Sequence, residues 1–179
     1  MSCKLQSNIT KNNCNYTVAG VKAVYLFNYD SANTYELGTN GEIDTIALAE
    51  NNAKAYKIDF VDGTASFTDD LAENGNGGKY RTHTLNFSIS NYDYNILNED
   101  KALSLGRYTA VVVDKSGRAI ILGRNNGLSA TSFNYSSGAA DADANGWTVV
   151  MAGTELEMGR LLKDESVIKA ITEPSIIIP

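Results

Sequence analysis

The chain has 179 residues, of which 43% are hydrophobic and 20% are charged, and its net charge is −6. This length is typical of one domain with a substantial core, and the composition excludes a disordered chain. The negative charge argues against a surface that grips nucleic acid or anionic lipid over a wide area, and no apolar run is long enough to cross a bilayer.

The first 17 residues are polar and rich in asparagine, and they predict an extended N-terminal arm. Residues 1–14 lack the apolar stretch and small-residue cleavage site of a secretory signal. Cys3 and Cys14 are the only cysteines. We therefore expect free thiols in a reducing cytosol rather than a disulfide framework.

The part of the chain up to residue 89 predicts a series of strands, of which the first is apolar and aromatic and the second and fourth alternate apolar with polar side chains. The predicted strands are VKAVYLFNYD (21–30), AYKIDFVDG (55–63), TASFT (64–68) and YRTHTLNFSI (80–89). Residues 31–52, by contrast, are rich in turn formers. In the fourth strand Leu85, Phe87 and Ile89 share one face, which indicates a sheet with one apolar face and one polar face.

The next segment changes its period and predicts a helix, roughly over residues 93–104. Its apolar side chains do not fit a period of two, and Gly106 closes the segment. RYTAVVVDKSGRAIILGR (107–124) then places two β-branched runs around residues 114–117, which is the chemistry of a hairpin turn.

The remainder of the chain predicts two further strands, in NNGLSATSFNYSSG (125–138) and WTVVMAG (147–153). ELEMGRLL (155–162) indicates a short helix, although Gly159 weakens it, and SVIKAIT (166–172) fits either type of element. These elements predict a mainly β chain, an antiparallel sandwich or small barrel with one embedded helix. We divide it into an arm (1–17), a β domain (18–162) and a C-terminal extension (163–179).

The glycine-rich stretch ENGNGGKYRT (73–82) resembles a phosphate-binding loop but fails its pattern. Glu73 stands where the first glycine is required, Tyr80 stands where a hydroxyl is required, and a strand follows instead of a helix. Tyr80 also breaks the dinucleotide pattern. The stretch therefore predicts the mobile tip of a hairpin, and no cofactor is expected.

The chain offers no catalytic constellation. His83 is the only histidine, it follows the alternation of a strand, and no nucleophile elbow is present. A structural or interface histidine is the favoured interpretation, and we expect no enzymatic activity.

One loop faintly resembles the opening of a calcium-binding loop. Asp141, Asp143 and Asn145 have suitable spacing before Gly146, but Ala152 stands where a bidentate acid is expected. A solvated acidic turn is the favoured interpretation, so these three residues are only a weak candidate metal site. The ten tyrosines leave a carbohydrate platform open, without a clear cluster.

The order of elements resembles that of bacteriophage tail tube proteins or related ring-forming virion tail proteins. The likeness covers roughly residues 20–160. It rests on the layout from YKIDFVDG through the helix to LGRYTAVVVDKSGRAIILGRNNGLSA, and on phrases such as Leu122-Gly123-Arg124 and Gly146-Trp147-Thr148. No diagnostic motif contributes to it.

The resemblance implies a structural subunit that forms rings, usually hexameric, which stack into a tube for DNA passage. Its partners would be itself, other tail proteins and DNA in transit, without a membrane anchor. Its location would be the virion tail, after assembly in the host cytoplasm. A hairpin in such proteins reaches a neighbouring subunit or ring, and here that hairpin would be 64–89. The implied interface residues are Asp69, Asp70, Leu71, Glu73, Asn74, Asn76, Lys79 and Arg81.

Two physical arguments agree with this resemblance. Open sheet edges are removed when they pair with a neighbouring subunit, and an acidic lumen would repel phosphates so that DNA slides. The alternative is a ligand-binding β-sandwich, either a carbohydrate-binding module or a calcium-dependent adhesion module. A hydrolase that uses His83 is the least favoured hypothesis.

Overall fold

The computed structural model of the chain describes residues 4–5, 7–10, 16–90 and 92–174. Within these residues the chain forms eleven strands and two helices. The strands are β1 (Val21–Asn28), β2 (Thr34–Leu37), β3 (Ile43–Ala47), β4 (Tyr56–Ile58), β5 (Ser66–Glu73), β6 (Lys79–Ile89), β7 (Arg107–Asp114), β8 (Ala119–Leu122), β9 (Leu128–Ser136), β10 (Gly146–Glu155) and β11 (Arg160–Leu161). The helices are α1 (Tyr94–Leu105) and α2 (Ser166–Lys169).

Nine of the strands form one branched antiparallel sheet, in the order β11-β8-β7-β9-β10-β6-β5, with β1 between β7 and β4. β9 pairs with β7 only near Tyr108, so the sheet folds there into two layers. We call β9-β10-β6-β5 the front sheet and β4-β1-β7-β8-β11 the central sheet. The predicted mainly β, antiparallel, sandwich-like fold is confirmed, and the sheet does not close into a barrel.

The central sheet is covered on both faces. Val24 and Leu26 of β1 point into one apolar core with Leu85 and Phe87 of the front sheet. Tyr25, Phe27 and their neighbours point into a second core, which β3 and α2 cover from the other side. β1 is therefore buried along almost its whole length, as expected for a strand between two layers.

The predicted helix is confirmed as α1. Asp93 is its N-cap, and the carboxylate accepts hydrogen bonds from the backbone amides of Asn95 and Ile96. No residue of α1 is buried, and Leu97 and Leu105 are exposed. Leu103 is partly buried and packs against the first core, so the helix docks on the sheet through few side chains, and the cap stabilises its first turn.

The predicted hairpin between residues 107 and 124 is also confirmed, as β7 and β8. Asp114 accepts a backbone hydrogen bond from Gly117, and its carboxylate binds both the amide and the guanidinium of Arg118. Gly117 has a φ of 87°, which a glycine adopts without strain. The turn residues alone therefore fix this hairpin.

The predicted helix at 155–162 is wrong. Glu155 ends β10, and Arg160 and Leu161 form β11 beside β8. Residues 156–159 form no helix because Glu155, Glu157 and Gly159 bind groups in the 124–126 loop and in β5. The short helix α2 lies in the 166–172 segment, for which the sequence favoured neither element.

Two other differences concern short strands. Residues 31–52 contain the β2–β3 hairpin, whose Ile43 and Ile46 are buried in the second core. The strand predicted over 55–63 covers only Tyr56–Ile58. β2 and β3 pair with each other, and β4 pairs with the distant β1, which a local pattern of residues does not show.

The terminal segments are described in part. The described residues of the N-terminal arm form no strand or helix, and Cys3 and Cys14 lie outside the described residues. Residues 163–174 pack on the central sheet, where Val167 and Ile168 are buried. The division into arm, domain and extension stays a prediction. Neither helix of the described chain is long and apolar enough to cross a membrane.

Candidate assembly interface

The predicted hairpin is formed by β5 and β6, and most of it belongs to the front sheet. β6 pairs with β5 from Lys79 to Asn86 and with β10 from Arg81 to Ile89. β10 ends at Glu155, opposite Arg81. Only residues 72–80 therefore project beyond the sheet, so the hairpin is a short overhang and not a free arm.

The tip of the hairpin is a tight turn organised by Asn74. Its side-chain oxygen accepts hydrogen bonds from the backbone amides of Asn76 and Gly78, at 3.1 and 2.9 Å. Gly77 donates to the carbonyl of Asn74 and has a φ of 77°. These amides face the asparagine instead of an anion, which supports the interpretation of this loop as a turn.

A polar cluster lies on the inner face of the hairpin and is centred on Asp69. One carboxylate oxygen accepts from Arg81 Nε at 2.7 Å, and the other accepts from the backbone amide of Gly159 at 2.8 Å. Arg81 also donates to the backbone carbonyl of Asp69. Asp69 and Arg81, both predicted to meet a neighbouring subunit, therefore pair with each other within the chain.

The environment of Asp69 favours its ionised form. Burial alone would raise the pKa of Asp69, but the hydrogen bonds from Arg81 and Gly159 and the nearby positive groups outweigh it. The net effect lowers the pKa of Asp69 below its ordinary value. The carboxylate consequently holds the hairpin to the segment after β10 at neutral pH.

His83 is a structural part of this cluster, with only 1% of its surface exposed. Its Nδ1 atom accepts a hydrogen bond from the backbone amide of Gly123, so the proton of the neutral ring lies on Nε2. Nε2 lies 3.4 Å from Asp69 Oδ1, too far for a good hydrogen bond. Because a backbone amide occupies Nδ1, the ring is not arranged as the base of a serine nucleophile.

The outer edge of β5 has no partner strand in the described chain. Asn74 donates across the hairpin to Gly78, and alternate residues of an antiparallel strand point their backbone groups to opposite sides. The backbones of Phe67, Leu71 and Glu73 therefore face outward. Such an edge is a template for pairing with another chain.

The opposite edge of the front sheet is also open. β9 pairs with β10 along its length, whereas β7 reaches only Leu128 and Ser129. By the same alternation, the backbones of Phe133 and Tyr135 face away from β10. No described strand pairs with residues 130–136 from that side, although α1 contacts β9.

The solvent-facing side of the front sheet consists mainly of hydroxyl and amide side chains, with Ala72, Val150 and Ala152 as its apolar members and Tyr80 as an aromatic one. The hydroxyl and amide residues are Ser66, Thr68, Thr82, Thr84, Asn86, Ser88, Ser132, Asn134, Ser136, Thr148 and Thr154. Asp70 is the one charged residue that the strand alternation places on this side, and its carboxylate accepts from Thr68. The strands thus present a mainly polar surface without lysine or arginine.

The irregular segment that follows β10 is held in place by three inward contacts. The buried Glu155 carboxylate accepts from the amides of Asn125 and Asn126. Glu157 binds both Arg124 and Arg160, and Gly159 binds Asp69. Leu156 and Met158, between these anchored residues, point into solvent.

An aromatic cluster lies at the other end of the front sheet, and the sequence did not indicate it. Trp147 stacks on both Tyr92 and Phe133, at centroid distances of 5.3 and 4.6 Å, and Tyr135 contacts Tyr92 edge to face. These residues come from three separate segments. The register between β9 and β10, which places Tyr135 opposite Trp147, is the signal that brings them together.

The candidate calcium loop uses its oxygens internally. The Asp143 carboxylate accepts from the amides of Ala139 and Ala140, and these hydrogen bonds lower the pKa of Asp143. Asn145 accepts from Tyr135, while Asp141 is exposed. The described residues contain no group of three or more His, Cys, Asp or Glu side chains that could hold a metal ion.

The remaining predicted interface residues lie on the overhang or beside it. Asp70, Leu71, Glu73, Asn76 and Lys79 are exposed. Comparison of the chain with protein-family models, with curated proteins and with solved structures finds no match. The interpretation of this surface therefore rests on its geometry.

Proposed function

We propose that the chain is a non-enzymatic structural subunit that pairs side by side with copies of itself into rings. The rings stack into a tube, a virion tail tube through which DNA passes. The observation that carries the proposal is the front sheet, a four-stranded antiparallel sheet in which neither β5 nor residues 130–136 of β9 have a described strand as partner on the outer side.

The geometry of the front sheet suits pairing between copies. β5 and β9 run in opposite directions because each adjacent pair in the sheet is antiparallel. When β5 of one copy lies beside β9 of the next, the contact is again antiparallel. A contact between two different edges is head to tail, so repetition closes into a ring when the rotation permits.

The polar side of the front sheet supports the assignment of this side to the lumen. Phosphate backbones bind to lysine and arginine, and the strands place neither on this side. Hydroxyl and amide groups keep the wall hydrated, with Asp70 as a weak repulsive charge. The wall is therefore less acidic than the sequence suggested, yet it still offers DNA little to bind.

A proline in the open edge tests the side-by-side contact. Leu71→Pro removes an outward-facing amide while the ladder between β5 and β6 stays intact, because Leu71 is not one of its donors. Leu71→Ala is the matched control, since it keeps the amide. We expect rings from the unchanged chain and from Leu71→Ala, and folded monomers from Leu71→Pro, by gel filtration and negative-stain imaging.

Two outcomes would contradict the proposal. One is an unchanged chain that remains monomeric at every concentration. The other is a Leu71→Pro variant that forms normal rings.

The alternative of a ligand-binding sandwich has less support from the geometry. Trp147 is covered by two stacked aromatic rings, so its indole is not an open sugar platform. One Asp143 oxygen and the Asn145 oxygen are already bound within the chain. A calcium titration by calorimetry, with Asp141→Ala as control, would support this alternative if only the unchanged chain gave heat.

A further inference from the structure

The two ends of the front sheet differ in chemistry and are both incompletely covered. β6 has 11 residues and spans about 33 Å from one end to the other. The first end carries Lys79, Leu156 and Met158, and we call it the apolar end. The second carries Tyr92, Tyr94 and Asp141, and we call it the aromatic end.

The apolar end presents large side chains on a fixed backbone. Leu156 and Met158 are 80% and 65% exposed, although the residues on both sides of each are bound inward. Because these anchors prevent the segment from turning over, the two side chains cannot reach the core. Exposed apolar groups held in this way mark contact surfaces.

The aromatic end offers a matching surface. Tyr92 and Tyr94 are 58% and 83% exposed, and Tyr92 is supported from behind by Trp147. Tyrosine and methionine are enriched in the centres of protein interfaces, and a thioether packs well against aromatic rings. The supported ring is a rigid partner for a flexible side chain.

One pair of opposite charges is available between the two ends. Lys79 is exposed and forms no ion pair with any described residue, although the exposed Glu73 lies opposite it in the β5–β6 register. Asp141 at the other end is also exposed. Within one copy these two residues lie at opposite ends of the sheet. They can meet only between copies.

We propose that the apolar end of one copy docks on the aromatic end of a second copy displaced along the strand direction. Leu156 and Met158 then cover Tyr92 and Tyr94, while Lys79 faces Asp141. The contact joins two different surfaces, so it repeats without closing and builds a stack. This inference rests on the proposed function, because it names the surfaces by which rings stack.

Charge reversal tests the contact in the full chain. We expect Lys79→Glu and Asp141→Lys each to abolish tubes while single rings persist, and the double variant to restore tubes. Lys57→Glu, an exposed reversal on β4, is the matched control and should form normal tubes. Tube length is measured by negative-stain imaging and sedimentation.

A second variant removes the apolar contribution. Leu156→Ser combined with Met158→Ser leaves every anchor of the segment in place, and we expect folded rings without tubes. Normal tubes from this variant and from both single reversals would overturn the inference. The proposed function would still stand in that case, because it requires only that the chain forms rings that stack. An unchanged chain without rings would contradict the proposed function and this inference together.

Discussion

Strands β1 and β6 show how differently two long strands of one sheet are used. β1 is buried on both faces, between the front sheet and the β3–α2 layer. β6 buries His83, Leu85 and Phe87 on one face and presents threonine, asparagine and serine on the other. Residues of β1 therefore contribute to stability, whereas the polar face of β6 is available for contacts outside the folded monomer.

Removal of a large side chain from the two-sided strand should have the largest effect. Phe27 is 1% exposed, and Phe27→Ala leaves a cavity that neighbouring strands cannot fill. We expect the free energy of unfolding to fall by about 3–5 kcal/mol. Urea denaturation measures it, and a loss no larger than that of a surface substitution would contradict the two-sided burial of β1.

Removal of Asp69 from the polar cluster of the hairpin should have the next largest effect on stability. Asp69→Ala leaves the Arg81 guanidinium and the Gly159 amide without their partner. We expect a loss of about 2–3 kcal/mol, because charged hydrogen bonds in a partly buried site are strong. Faster hydrogen exchange at the Gly159 amide is the specific readout. Unchanged exchange there would contradict the stabilising role of Asp69.

A fall in pH should reduce the stability of the region around Asp69 by a smaller amount. The pKa of Asp69 is lowered on folding, so its contribution is complete above the ordinary carboxyl pKa of about 4 and is lost as pH falls further, through the folded value. Glu157, bound by Arg124 and Arg160, behaves in the same way. Denaturation at several pH values should show a shallower acid loss in Asp69→Asn than in the unchanged chain.

The polar face of β6 should respond least. Thr84 lies on the solvent side of the front sheet between buried neighbours, and Thr84→Ala removes no buried group. We expect a change within about 0.5 kcal/mol in unfolding free energy. A larger loss would show that this face is packed against something in the folded monomer.

The sequence predicted the elements whose pattern is local. Alternation placed Leu85 and Phe87 on the buried face of β6, and turn chemistry located the bend at Asp114. The pairing of Asp69 with Arg81 was not foreseen, although the register of a short hairpin places Arg81 two residues from the position opposite Asp69.

Features that join distant segments were not predictable from local pattern. The aromatic cluster requires Tyr92, Tyr135 and Trp147 to meet across a register that only β9–β10 pairing defines. The pattern of residues 155–162 predicts a short helix, but contacts with Asn125, Arg124 and Asp69 hold the segment in a non-helical form.

The sequence by itself determined the β class of the chain, the helix α1 and the positions of the β5–β6 and β7–β8 hairpins. Short-range sterics and turn geometry are sufficient for these. The tertiary structure decided which strands lie at edges, which faces are covered twice and which apolar side chains remain in solvent. These depend on the layer that packs against each strand, and the residues of that layer are far away in the chain.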